Sequence, residues 1–107
     1  MGEPALDLSA IIDLYKEDAR RMVGTMQTAL SRWDEVRRGG GPRQDLRRLS
    51  HQLRGSGRTY GYRNVSRLSK AIESIVQRMD KAKLPADDRV RESIQKMIDR
   101  LAAVFAA

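Results

Sequence analysis

The spacing of its apolar residues constrains this chain more than any other feature. Ile11, Ile12, Tyr15, Ala19, Met22, Val23, Met26, Leu30 and Trp33 recur every three or four positions, which lays them along one side of an α-helix. The same spacing returns in Leu46, Leu49, Leu53 and Tyr60, and again in Val65, Leu68, Ile72, Ile75, Val76 and Met79. It appears a last time in Val90, Ile94, Met97, Ile98, Leu101, Val104 and Phe105. No stretch alternates as a half-buried strand would. Each segment must bury its stripe against the others, so the expectation is an all-α, up-and-down four-helix bundle. A chain of 107 residues holds one such domain, 1–107.

Local signals set the expected boundaries. A first helical stretch runs from a Ser9 N-cap to about Arg38, long enough to divide into a short extra N-terminal helix and a longer one. "RRGGGPR" (37–43) is the strongest breaker and reads as a flexible loop closed by Pro42. The next helix is expected from about Pro42 to Tyr60. Gly61 ends it, and Asn64 is the N-cap of the helix that follows. "DKAKLPADD" forms the last loop, with Pro85 near the first helical turn and Asp87 and Asp88 set against the helix dipole.

Composition removes whole classes of chemistry. There is no cysteine, so disulfides and thiolate sites are excluded; with one histidine any metal site would depend on carboxylates, and no acidic cluster has the spacing of a calcium loop. The five methionines and Trp33 read as core filler. No apolar run approaches the ~20 residues of a membrane span. Met1-Gly-Glu-Pro-Ala-Leu-Asp has neither the basic region nor the apolar core of a signal peptide, and Leu6 stands where a myristoylation signal has Ser or Thr. A cytoplasmic location is the expectation. The net charge of +7 is concentrated: nine arginines lie between Arg37 and Arg67 against one carboxylate, Asp45. Such a field suits an acidic or phosphorylated partner.

The histidine lies inside that basic segment. At about 100° per residue, Leu46, Leu49, Leu53, Ser56, Gly57 and Tyr60 share the buried side of their helix. His51 falls nearly opposite, with Arg47, Arg48, Arg54, Gly55, Arg58 and Tyr62. Two glycines in a helix cost about 2 kcal/mol of helix preference relative to alanine, and each has its own reason. Gly55, one turn beyond His51, clears the surface that a partner approaches. Gly57 lets a neighbouring helix come close behind it. An exposed neutral imidazole among cations can attack phosphorus while the cations hold the charge of the transferred group. Ser56 is expected to pack or bond locally.

These residues resemble the histidine-containing phosphotransfer (HPt) domains, whose signature is roughly H-x-[LI]-[KR]-G-[SAG]-[SAG]-x-x-[FYV]-G. The chain reads His51-Gln52-Leu53-Arg54-Gly55-Ser56-Gly57-Arg58-Thr59-Tyr60-Gly61, followed by Val65, Leu68 and Glu73. The resemblance implies a four-helix bundle in which His51 carries a phosphoryl group, Arg54 is the neighbouring cation and Gly55 admits the partner. "TYGY" (59–62) with Glu73 is also similar to the first domain of chemotaxis-type histidine kinases. There the carboxylate at Glu73's place hydrogen-bonds and orients the histidine. By periodicity alone, Glu73 sits at the edge of its apolar stripe and reads as a solvated boundary residue. Arg54 departs from the commoner lysine, and the glycines at 39–41 look like an insertion.

The expected function is that of a stoichiometric phosphocarrier rather than an enzyme. It would take a phosphoryl group from a receiver-domain aspartate or a sensor histidine kinase and pass it to a receiver aspartate. Arg47, Arg48, Gly55, Arg58 and Tyr62 are the expected docking residues. No cofactor is expected, because Mg²⁺ belongs to the receiver, and the chain is expected to act as a monomer. The alternative is a basic helical module that binds nucleic acid or protein without chemistry, which leaves His51, Gly55 and Gly61 without a reason. A third reading is the excised domain of a chemotaxis-type kinase.

Overall fold

Asp7, not Ser9, starts the first helix of the computed structural model, which describes residues 7–106. Its Oδ1 accepts from the Ser9 and Ala10 amides at 3.1 and 3.3 Å, two donors with no partner inside the helix. The leading segment through Leu6, read above for targeting signals, lies outside the described residues. The elements in order are α1 (Leu8–Ser31), α2 (Trp33–Arg37), α3 (Gly41–Thr59), α4 (Arg63–Asp80) and α5 (Asp88–Val104). Among the described residues there is no strand, and no helix is long and apolar enough to cross a membrane.

The first helical stretch does divide, but the short piece comes second. Thr28 and Ser31 hydroxyls bond carbonyls of their own helix, and Arg32 leaves helical geometry at φ −98°, ψ 52°. This redirection turns Trp33 and Val36 of α2 into the core. The glycine segment is not a long loop. Gly39, at φ +79°, sends its amide to the Val36 carbonyl and Gly40 sends its own to Glu35, so the α2 end is closed by backbone bonds and α3 begins at Gly41.

The four long helices form a ring in which α1 packs on α3 and α5, and α4 on α3 and α5. α3 against α4 is the most extensive of these contacts. Inside lie Ala19, Met26, Leu30, Val36, Leu46, Leu53, Val65, Ile72, Val76, Ile94, Ile98 and Leu101, all almost wholly buried. At one end Tyr15 stacks on Tyr60 with ring centroids 4.3 Å apart and meets the edge of Phe105. Burial pushes the Tyr15 phenol up from its usual range.

The α3–α4 connection determines how the site is presented. Gly61, at φ +84°, lets the Tyr62 amide reach the Gly57 carbonyl at 2.7 Å while its own amide reaches Arg58. The chain therefore reverses within three residues, and α4 runs back along α3. A Cβ on Gly57 would stand 3.0 Å from the Ser66 nitrogen and 3.1 Å from the Tyr62 oxygen, so glycine allows this approach without displacing the turn. Asn64, expected as the cap, lies two residues too late: Tyr62 is the N-cap, α4 starts at Arg63 without a side-chain cap, and the Asn64 side-chain oxygen accepts from the Val65 amide. Asp87 does cap α5, accepting from Val90.

Candidate functional site

The sole histidine stands on the outer face of α3. Its side chain is 64 % exposed, whereas the Glu73 side chain beside it, on α4, is 6 % exposed. Helical phase brings this about: Leu49 and Leu53 on either side of His51 turn inward, and Ile72 and Val76 do the same around Glu73. Glu73 Oε2 lies 2.6 Å from His51 Nδ1, and Glu73 Oε1 accepts from Arg54 Nη1 at 2.7 Å. The periodicity argument that left Glu73 as a solvated boundary residue is thus corrected. A buried carboxylate is tolerated because both of its oxygens are engaged by charged or polar partners.

An ionised carboxylate can only accept, so this contact suits the tautomer with the proton on His51 Nδ1. In that neutral tautomer Nε2 keeps its lone pair on the exposed edge of the ring. Arg54 does more than supply a nearby charge: its guanidinium holds the residue that orients the imidazole. Arginine fits this task because its planar fork binds a carboxylate in a defined direction.

A profile model of the Hpt domain matches residues 10–104. The chain belongs to the Hpt domain family. No curated protein and no solved structure matches it. Membership gives the chain a histidine phosphotransfer role in a phosphorelay, as a phosphocarrier with phosphorelay partners. Helical bundle and family agree.

On this Hpt domain the other site residues fall into separate groups. Arg47 and Arg48 border His51 on one side, in an open depression of about 440 Å³ also lined by Gln44, Gln52, Glu73 and Gln77. Both are engaged within the fold, Arg47 with Asp80 at 3.0 Å and Arg48 with Asp45 at 3.1 Å. Gly55 and Arg58 lie on the other side of the histidine, in a depression with Arg54, Ser66 and Lys70. A Cβ on Gly55 would meet nothing within 4 Å, which agrees with a surface kept clear. Tyr62 is not on this face. It is half-buried against Tyr15 and Phe105 at 5.6 and 5.5 Å, because α3 ends at Thr59 and its helical phase does not extend beyond the turn. The Ser56 hydroxyl is shared between the Leu53 carbonyl of its own helix at 3.5 Å and the Tyr15 hydroxyl on α1 at 3.3 Å.

Sequence reasoning missed two participants. Asp80, at the end of α4, holds Arg47 and the buried Arg43, whose Nε and Nη2 donate to the Val36 and Arg37 carbonyls at the end of α2. Lys70, one turn before Glu73, joins the depression beside Gly55. Its position three residues ahead of Glu73 on the same helix was the available signal.

Proposed function

We propose that His51 is the phosphorylated residue of this Hpt domain, with Nε2 as the attacking atom. Nε2 forms a bond to phosphorus as the bond to a receiver aspartate, or to a sensor kinase's phosphohistidine, breaks. The ring becomes cationic in that step while Nδ1 keeps its proton, and the Glu73 carboxylate stabilises the charge. In the reverse step the phosphorus bond passes to a receiver carboxylate and Nε2 recovers its lone pair. Arg54 and Glu73 are positioning residues, and the receiver brings the Mg²⁺ that its own aspartate requires.

The observation that carries this reading is the Nδ1–Glu73 contact at 2.6 Å on an otherwise exposed imidazole. It orients a nucleophile toward solvent, where a partner can reach it. The test is incubation with a phosphorylated receiver, or with a kinase and ATP. One acid-labile, alkali-stable phosphoryl group is expected, and it should return to a receiver without added nucleotide. His51→Gln abolishes the label and leaves helicity intact. A label that persists in this variant, or a panel of receivers and kinases that gives none, overturns the assignment.

A further inference from the structure

The cations around His51 are not equivalent. On the Arg47 side each arginine already has a carboxylate: Arg43 and Arg47 share Asp80, and Arg48 holds Asp45. Arg54, beneath the histidine, is committed to Glu73. On the opposite side Arg58, Arg63, Arg67 and Lys70 are exposed and have no carboxylate partner among the described residues.

These four side chains are also contiguous. A depression of about 340 Å³ is lined by Arg54, Gly55, Arg58, Ser66 and Lys70. A second, of about 560 Å³, is lined by Arg58, Gly61, Arg63, Ser66 and Arg67. They share Arg58 and Ser66, and no carboxylate lines either one. Chain chemistry explains this, since no Asp or Glu occurs between Asp45 and Glu73. Arg91 on α5, by contrast, lies in a depression with Asp88 and Glu92. The cationic shelf begins at Gly55, one helical turn from His51, where nothing obstructs an approaching partner.

Resting on the phosphocarrier reading, we propose that this shelf at the α3–α4 turn is the docking and selectivity surface for the receiver. It receives acidic side chains from outside the receiver's metal pocket and so sets the direction from which the receiver reaches His51. The Arg47–Arg48 side contributes less, because its three arginines are already paired with two carboxylates of the fold. Unpaired cations attract an acidic partner at long range and impose no cost of breaking an existing ion pair. A receiver with a basic rim at that position is repelled by the same charges, and one with a neutral rim gains no attraction from them.

The experiment separates this proposal from the reading on which it rests. Potassium phosphoramidate, a small phosphoryl donor that needs no docking, labels wild type, Arg58→Glu/Lys70→Glu and the charge-matched Arg91→Glu/Lys96→Glu. Each phosphorylated protein is then mixed with Mg²⁺ and a panel of isolated receiver domains of differing surface acidity, at several salt concentrations. All three proteins should reach the same final stoichiometry of one phosphoryl group on His51. The shelf variant should lose at least about tenfold in second-order transfer rate to acidic receivers, with a flattened salt dependence. The α5 variant should stay within about twofold of wild type. Equal losses in both variants, or none in either, overturn the shelf while leaving the phosphocarrier intact. Duplex oligonucleotide binding that vanishes in the shelf variant, with transfer unchanged, overturns it in favour of nucleic acid. Failure of phosphoramidate to label His51, or of every receiver to take the label, overturns the phosphocarrier reading and this proposal with it.

Discussion

Gly55 and Gly57 are two positions apart on one helix, yet they belong to regions governed by different requirements. Around Gly57 lies the seam between α3 and α4, where backbone and side-chain atoms wait at 3.0–3.1 Å for any added Cβ. Around Gly55 lies the open face with His51, where an added Cβ meets nothing within 4 Å. One region is set by close packing, the other by what must be able to arrive. Changes in the seam should therefore be read in stability, and changes on the open face in transfer. Glu73 belongs to both, since its carbon chain is buried in the seam and its oxygens serve the face.

The largest effect is accordingly expected at Glu73. Glu73→Ala should slow phosphoryl transfer through His51 about 10- to 100-fold, the usual cost of losing a partner that orients a reactive imidazole. Arg54→Ala should slow it about tenfold, with Arg54→Lys milder. The two alanine changes should not add, because Arg54 acts through Glu73. Phosphoramidate labelling rates for the two singles and the double form the test. Full additivity would place Arg54 on the phosphoryl group instead.

Gly57→Ala comes next. The new methyl meets the Ser66 nitrogen, the Tyr62 oxygen and a Val65 methyl, and two of these are backbone atoms that yield only if the turn moves. A loss of about 1–3 kcal/mol is expected by chemical denaturation. Gly55→Ala should gain about 0.8–1 kcal/mol from helix preference alone. Similar stabilities for the two variants would erase the distinction between seam and face.

How far this distinction could be read beforehand depends on the kind of interaction. The helices were legible because burial imposes a period, and the opposed directions of His51 and Leu53 follow from it. The opposite placements of the two glycines, Gly57 in the seam and Gly55 in the open, were legible for the same reason. The Gly39 turn was visible as a break but not as a closed end, since backbone-to-backbone bonds leave no mark in composition. Asp80 was hidden because its partners, Arg43 and Arg47, are 37 and 33 residues away. Tyr62 was misplaced because a helical phase was carried past a turn with positive φ. Glu73 was legible only through its resemblance to a known pattern, because periodicity does not say when a carboxylate is buried with partners.

On the open face, Gly55→Gln should reduce transfer from a phosphorylated receiver about tenfold by standing where the partner approaches. Thermal stability should stay the same or rise, since glutamine is a better helix former. Labelling by phosphoramidate should be unchanged, which assigns the loss to docking. A variant that is equally slow with both donors would point to a disturbed His51 instead.

The smallest effect is expected at Ser69, and it tests whether the seam is as independent of chemistry as the comparison requires. Ser69 lies on α4 midway between Val65, which touches Gly57, and Glu73, which holds His51 and Arg54. It is wholly buried, and its hydroxyl has no hydrogen-bond partner among the described residues. Ser50 is equally buried but donates to the Arg47 carbonyl at 3.1 Å. A buried hydroxyl without a partner keeps its desolvation cost uncompensated, and alanine is also the better helix former. Ser69→Ala should therefore stabilise the bundle by about 0.5–1 kcal/mol, whereas Ser50→Ala should give no such gain. Neither should alter transfer by more than about twofold, because neither hydroxyl reaches the imidazole or its carboxylate. Paired denaturation and transfer measurements decide it. A stabilised Ser69→Ala that also changes the transfer rate would show that the seam passes its packing on to Glu73, and that seam and face are one unit.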